Sequence, residues 1–154
     1  MTLDDGHKVD VLLAALAERY QALRTIRERV QSIGIWALGL LVAAGGWLIQ
    51  REEDLTRPEQ WIAVIGLVGA VAALRWVYLA DLQKGFAAQQ RTAAKVEAAL
   101  GLYDRGVFDR SDVPIYPTSW ANAGEEKGGG RFFASTYVLL YVGALFLGVV
   151  IVFG

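Results

Sequence analysis

The chain has 154 residues, a net charge of −1 and 55% hydrophobic residues, with one histidine and no cysteine. The lack of cysteine excludes disulfides, thiolate metal sites and cysteine nucleophiles. The near-neutral charge argues against an electrostatic nucleic-acid binder, which would carry a basic patch.

Taken in chain order, residues 8–32 come first, free of Pro and Gly and rich in Ala, Leu, Glu, Arg and Gln. Val9, Leu12, Leu16, Leu23, Ile26, Val30 and Ile33 follow alternating three- and four-residue steps, with Arg19 breaking one position. That spacing predicts a helix with an apolar seam along one face, as in a coiled coil. Asp4 or Asp5 is placed to cap its start. Nothing before Gly34 stops it, so residues 1–32 are expected to form a cytoplasmic helix continuing into the membrane. The first apolar run begins only at Ile33, behind this charged arm, which predicts no cleavable signal peptide. His7 reads as an ordinary solvated residue.

Ile33 to Ile49 carries no charge, Trp61 to Ala80 carries only Arg75, and Phe132 to Phe153 carries none over 22 residues. A helix rising about 1.5 Å per residue needs roughly 20 apolar residues to cross a ~30 Å hydrocarbon core. In lipid the backbone must satisfy its own polar groups, which makes these runs helices. The predicted fold is therefore all-α: three transmembrane helices (33–49, 61–80 and 132–154) with a cytoplasmic helical hairpin. Arg19, Arg24, Arg27 and Arg29 precede the first span, and Lys84, Arg91, Lys95, Lys127 and Arg131 lie between the second and third. The short loop between the first two spans is acidic, with Glu52, Glu53, Asp54 and Glu59. Excess Lys and Arg mark cytoplasmic flanks, which predicts a multi-pass inner-membrane protein with its N-terminus inside and its C-terminus outside. Trp47 and Trp61 fit the outer interface, and Trp76, Tyr78, Phe132 and Phe133 the inner one.

Arg75 is the lone charge within a span, and such a charge is by default a functional candidate. It lies about one and a half turns from Asp81, so its first reading is a snorkelling membrane anchor. A buried partner, a lipid phosphate and a pore ring are the alternatives. Small residues recur at four-residue spacing in the spans: Gly39 with Ala43, Gly66 with Ala70, Gly69 with Ala73, and Ala144 with Gly148. Such positions let helix backbones approach closely in lipid, whether within one chain or between chains.

After the second span, Leu82, Phe86, Gln89, Ala93, Val96 and Leu100 form a second seam that ends at Gly101, a natural helix stop. The two seams are expected to pack side by side as the cytoplasmic hairpin; lying on the membrane surface or pairing with another subunit is the alternative. Residues 101–131 are punctuated by Gly and Pro, as in a loop. Tyr103, Phe108, Tyr116 and Trp120 give that loop an aromatic content explained by docking on the hairpin or the membrane interface. The sharper reading makes these four residues a partner-binding epitope. Gly124 to Gly130 reads as a flexible tether. Asp104, Asp109 and Asp112 lack calcium-loop spacing, the tether lacks the Ser or Thr of a phosphate loop, and no serine has a neighbouring histidine. No catalytic site, metal, cofactor or small-molecule substrate is expected.

Tyr20-Gln-Ala-Leu23-Arg24-Thr-Ile26-Arg27-Glu-Arg29 stands directly before the membrane hairpin and its following helix. This layout, over residues 8–100, resembles the SLATT-type group of small bacterial membrane proteins. The resemblance implies a membrane effector, pore-forming, beside nucleotide-signalling defence systems. The third span and the aromatic loop depart from the two-span pattern of that group, and no functional residue carries over. Two functions are thus expected in competition. One is a non-enzymatic, self-associating membrane protein that permeabilises the bilayer. The other is an accessory or scaffold subunit that docks a cytoplasmic partner through the hairpin and the 103–120 loop. The partners implied are membrane lipids and further copies or subunits, with no nucleic acid.

Overall fold

The computed structural model describes residues 5–52, 54–106, 113–125 and 131–153. All regular structure among them is helical: α1 (Asp5–Ile49), α2 (Arg57–Ala73), a π-helical segment (Leu74–Leu79), α3 (Ala80–Ala99), a 3-10 turn (Thr118–Asn122) and α4 (Arg131–Phe153). Three helices are long and apolar enough to cross a membrane. The first of them is unbroken from the charged arm to the end of the first apolar run, as expected where no Pro intervenes, Gly34 is the only breaker between Arg29 and Ile35, and the neighbouring turns are Ala- and Leu-rich.

Local chemistry sets the ends. At the close of α1 the Gln50 N–H is shared between the Gly46 and Trp47 carbonyls (3.3 and 3.2 Å), tightening the last turn. The Arg51 guanidinium lies over the Trp47 ring, 5.3 Å from its centroid. At the start of α2, Glu59 reaches back to accept from the Thr56 N–H (2.9 Å) and the Thr56 hydroxyl (2.8 Å). These bonds, the backbone one first, hold the Glu59 carboxyl below its ordinary value of 4.5. A depressed carboxyl adds stability above its unfolded pKa and loses it as pH falls through the folded one. Titration followed by side-chain carbonyl NMR is expected to place Glu59 below 4.5; an ordinary or raised value would remove this cap. The close of α3 is a Schellman motif: Gly101 takes φ +73°, its N–H donates to the Ala98 carbonyl (3.0 Å), and the Leu102 N–H donates to the Glu97 carbonyl (3.1 Å).

The chain divides into two compact units. One comprises residues 1–27 and 84–129. Here Leu16 of the first seam and Phe86 and Ala93 of the second are buried, as is Glu97. The Arg19 guanidinium donates to the Gln89 side-chain carbonyl (2.9 Å), tying the arm to α3. Residues after α3 do not trail away from it. The Tyr116 N–H donates to the Leu102 carbonyl (3.0 Å), and a Cβ on Gly124 would stand 2.6 Å from the Ala87 carbonyl oxygen. At φ +86° and against backbone, Gly124 accepts no side chain.

The other unit comprises residues 28–83 and 130–154. Val30, Leu79 and Phe133, the largest fully buried side chains among the described residues, come from three different helical segments of this unit. Close approaches fix the helix directions. Gly34 lies against Thr136, Gly143 against Leu38 and Leu41, and Gly45 against Phe146, so α1 and α4 run side by side in the same direction. Leu67 faces Gly148 while Arg75 faces Tyr137 and Tyr141, so α2 runs opposite to α4.

Candidate functional site

Arg75 sits in the π-helical segment, whose ladder is widened so that the Ala80 N–H donates back to the Arg75 carbonyl, five residues earlier. Single π turns within α-helices are rare and concentrate at functional sites. The guanidinium carbon lies 4.6 Å from the centroid of the Tyr137 ring and 5.6 Å from that of Tyr141. These tyrosines are four residues apart, on one face of α4. Above them, the Tyr137 hydroxyl donates to the Gln83 side-chain carbonyl at 3.4 Å. The arginine thus rests one phenol ring away from a polar side chain.

Magnitudes decide how far this resolves a charge among apolar helices. A cation over an aromatic face gains about 0.5–2 kcal/mol, more when desolvated. Arg at the centre of a membrane helix costs about 2.5–3.5 kcal/mol on insertion scales. Two rings therefore offset much of the charge but satisfy none of the five N–H donors of the guanidinium fork. The contacts with Tyr137 and Tyr141 hold the guanidinium against α4 at one end of the α2–α4 seam.

That seam is a groove of about 510 Å³, bordered by Leu67, Val71 and Arg75 on one side and Tyr141, Ala144 and Gly148 on the other. Its wall is apolar apart from the arginine end. A smaller cavity of about 160 Å³, between Leu40 and Leu41 of α1 and Leu67 and Val71 of α2, has no charged lining residue.

The remaining residues singled out in the sequence fall in different places. Gly148 borders the groove, with room for ordinary contact (3.9 Å to Leu67 Cδ2), whereas Gly39, Gly66 and Gly69 meet nothing within 4 Å. Close packing within the chain uses Gly34, Gly45 and Gly143 instead. Tyr103 and Tyr116 are partly buried and stack edge to face (6.2 Å), and Tyr116 continues onto Trp120 at 5.6 Å. Trp120 itself is 55% exposed. Phe108, with Asp109 and Asp112, lies outside the described residues.

A polar cluster in the first unit escaped the sequence reading. Glu97 is 7% exposed, and its carboxylate accepts the Tyr20 hydroxyl at one oxygen (2.6 Å) and the Tyr103 hydroxyl at the other. Burial first, then these bonds, push both hydroxyls well above the usual tyrosine range. Protons stay on the tyrosines, so each remains a donor. The cluster joins α1, α3 and the aromatic loop, and its chemistry is that of a clasp. The signal for it was slight: one acid adjoining a seam, with tyrosines far away in sequence. No protein-family model, curated protein or solved structure matches this chain.

Proposed function

We propose that the chain is a non-enzymatic inner-membrane protein that self-associates through its spans and permeabilises the bilayer once assembled. Its N-terminus and the 81–131 segment lie in the cytoplasm and its C-terminus lies outside. The observation that carries self-association is the division among the glycines. Gly34, Gly45 and Gly143 are taken up between α1 and α4, while Gly39, Gly66 and Gly69 face open space. In lipid, an open small-residue face lets a second helix come close and gain dispersion contacts. Helix α2 buries none of its own residues, which leaves it the most surface for a neighbour. The opposed run of α2 and the shared direction of α1 and α4 support the alternating path through the bilayer. The SLATT-type resemblance supports the effector role.

The chain has no cysteine, so single-cysteine crosslinking has no background. Gly66→Cys and Gly69→Cys are expected to form disulfide-linked dimers in native membranes, while Gly143→Cys, buried within the chain, stays monomeric. Expression of the crosslinkable variants is expected to release an entrapped dye. Monomers throughout, with no leakage, would exclude this function.

The scaffold reading draws on a separate observation. Val113, Ile115 and Trp120 are 71%, 52% and 55% exposed, on a loop held by Tyr103 and Gly124. An apolar patch on a pinned segment suits a protein contact. Loss of a captured cytoplasmic protein on Trp120→Ala would favour it over the effector reading.

A further inference from the structure

Self-association leaves unexplained why the one intramembrane charge stands at the end of an open apolar groove. We propose that the groove between α2 and α4 binds an anionic phospholipid of the inner leaflet, with the phosphate on Arg75 and an acyl chain lying along α2. The inference rests on the transmembrane reading above.

Three observations converge. First, the groove is the right kind of space: about 510 Å³, within the roughly 300–1,000 Å³ of sites for small ligands, and open along its length. From Arg75 to Val64 it follows α2 for roughly 16 Å at 1.5 Å per residue, about half of a ~30 Å hydrocarbon core and so the depth of one leaflet. Second, the charge lies at one end only. Val64, Leu67, Val71, Ala144 and Gly148 offer an acyl chain nothing polar, whereas Arg75 is the single cation in the lining. Third, the guanidinium is held yet finds no hydrogen-bond partner among the described residues. Its carbon lies over the Tyr137 and Tyr141 rings, 4.6 and 5.6 Å from their centroids, but ring faces accept no conventional hydrogen bond from its fork. A phosphate supplies two in-plane oxygens to such a fork, with charge assistance. The Tyr137–Gln83 contact marks a polar level one ring away, near enough for a headgroup to reach the arginine without crossing the bilayer.

The test uses the full chain, purified in a non-ionic detergent, stripped of lipid and monitored by native mass spectrometry. Phosphatidylglycerol and phosphatidylcholine with identical acyl chains are titrated in separate arms. One phosphatidylglycerol is expected to bind about tenfold more tightly than phosphatidylcholine, a factor within reach of one charge-assisted contact. Arg75→Gln is expected to bring the two lipids to equal affinity, and Arg75→Lys, which keeps charge but not the fork, to restore part of the preference. Because the preference is a ratio within one variant, a general loss of stability does not mimic it. Gly148→Leu fills the groove from α4 without touching Arg75 and is expected to weaken both lipids. Glycerol phosphate, a headgroup without chains, is expected not to compete. Equal binding of the two lipids by the unaltered chain overturns the proposal, as does a preference that survives Arg75→Gln. A Gly148→Leu variant that keeps its lipid but loses its oligomer also overturns it and assigns the groove to a second copy. If the chain stays in solution without detergent, the transmembrane reading fails first, a result distinct from any change in lipid preference.

Discussion

Leucine at Gly143 or Gly45 is expected to lower the stability of the second helical unit by about 1–2 kcal/mol net, whereas leucine at Gly39 or Gly66 is expected to leave the fold of a single chain unchanged or stabilise it slightly. A Cβ on Gly45 would stand 2.5 Å from the Phe146 ring edge, and one on Gly143 would meet the methyls of Leu41 and Leu38 at 2.9 and 3.0 Å. Overpacking of this kind costs about 1–3 kcal/mol, occasionally more, because side chains leave their rotamers and helices move apart. Replacing a helical glycine recovers about 0.5–1 kcal/mol of backbone entropy, which offsets only part of that cost. At Gly39 and Gly66 no neighbour of the same chain stands within 4 Å, so in monomeric chains the gain alone remains. Helicity measured across an SDS titration in mixed micelles reads both signs in one experiment. A loss at Gly66→Leu equal to that at Gly143→Leu would contradict the close α1–α4 approach as the determining contact.

Removing both hydroxyls from the clasp, by Tyr20→Phe with Tyr103→Phe, is expected to destabilise the first unit by about 3–5 kcal/mol, the range for stranding a buried charge. Each single change is expected to cost about 1.5–3 kcal/mol, as for hydrogen bonds to charged groups. Glu97→Gln, which keeps an acceptor but removes the charge, is expected to cost less than the double change. Chemical denaturation followed by tryptophan fluorescence compares them, since Trp120 rides on the pinned loop. The pH dependence carries a definite sign. Folding raises both tyrosine pKa values above their ordinary 10.0. The stability they contribute is therefore full below pH 10 and declines as pH climbs beyond it, while the unfolded tyrosines ionise and the folded ones do not. The double phenylalanine variant is expected to show a shallower decline above pH 10; an identical slope would mean the hydroxyls are not held by Glu97.

The seams show what periodicity conveys. Leu16 and Val30, Phe86 and Ala93 stand at the spaced positions and are buried, because a repeat alternating three and four keeps one helix face turned to the same side. Gly101 stops α3 because a left-handed residue suits glycine. The glycine pairs were less legible. Spacing in one helix says that a smooth face exists but not which helix lies against it, and azimuth chose Gly34, Gly45 and Gly143 over Gly39, Gly66 and Gly69. Arg75 stood out as a lone charge, yet its resting place depends on Tyr137 and Tyr141 of a helix far along the chain. Glu97 was invisible for the same reason: its partners, Tyr20 and Tyr103, arrive from separate segments. Pairings across the fold, rather than patterns along it, are what the sequence leaves out.

The parallel contact of α1 with α4 also orders events during synthesis. Gly34 and Gly45 emerge from the ribosome about a hundred residues before their partners Thr136 and Phe146. Until α4 arrives, the glycine surface of α1 is bare. Contacts so distant along the chain close late and slowly, and the nascent protein meanwhile offers two such surfaces, one transient on α1 and one lasting on α2. A chaperone or a neighbouring nascent copy that acts on the first has only the interval before α4 packs in which to do so.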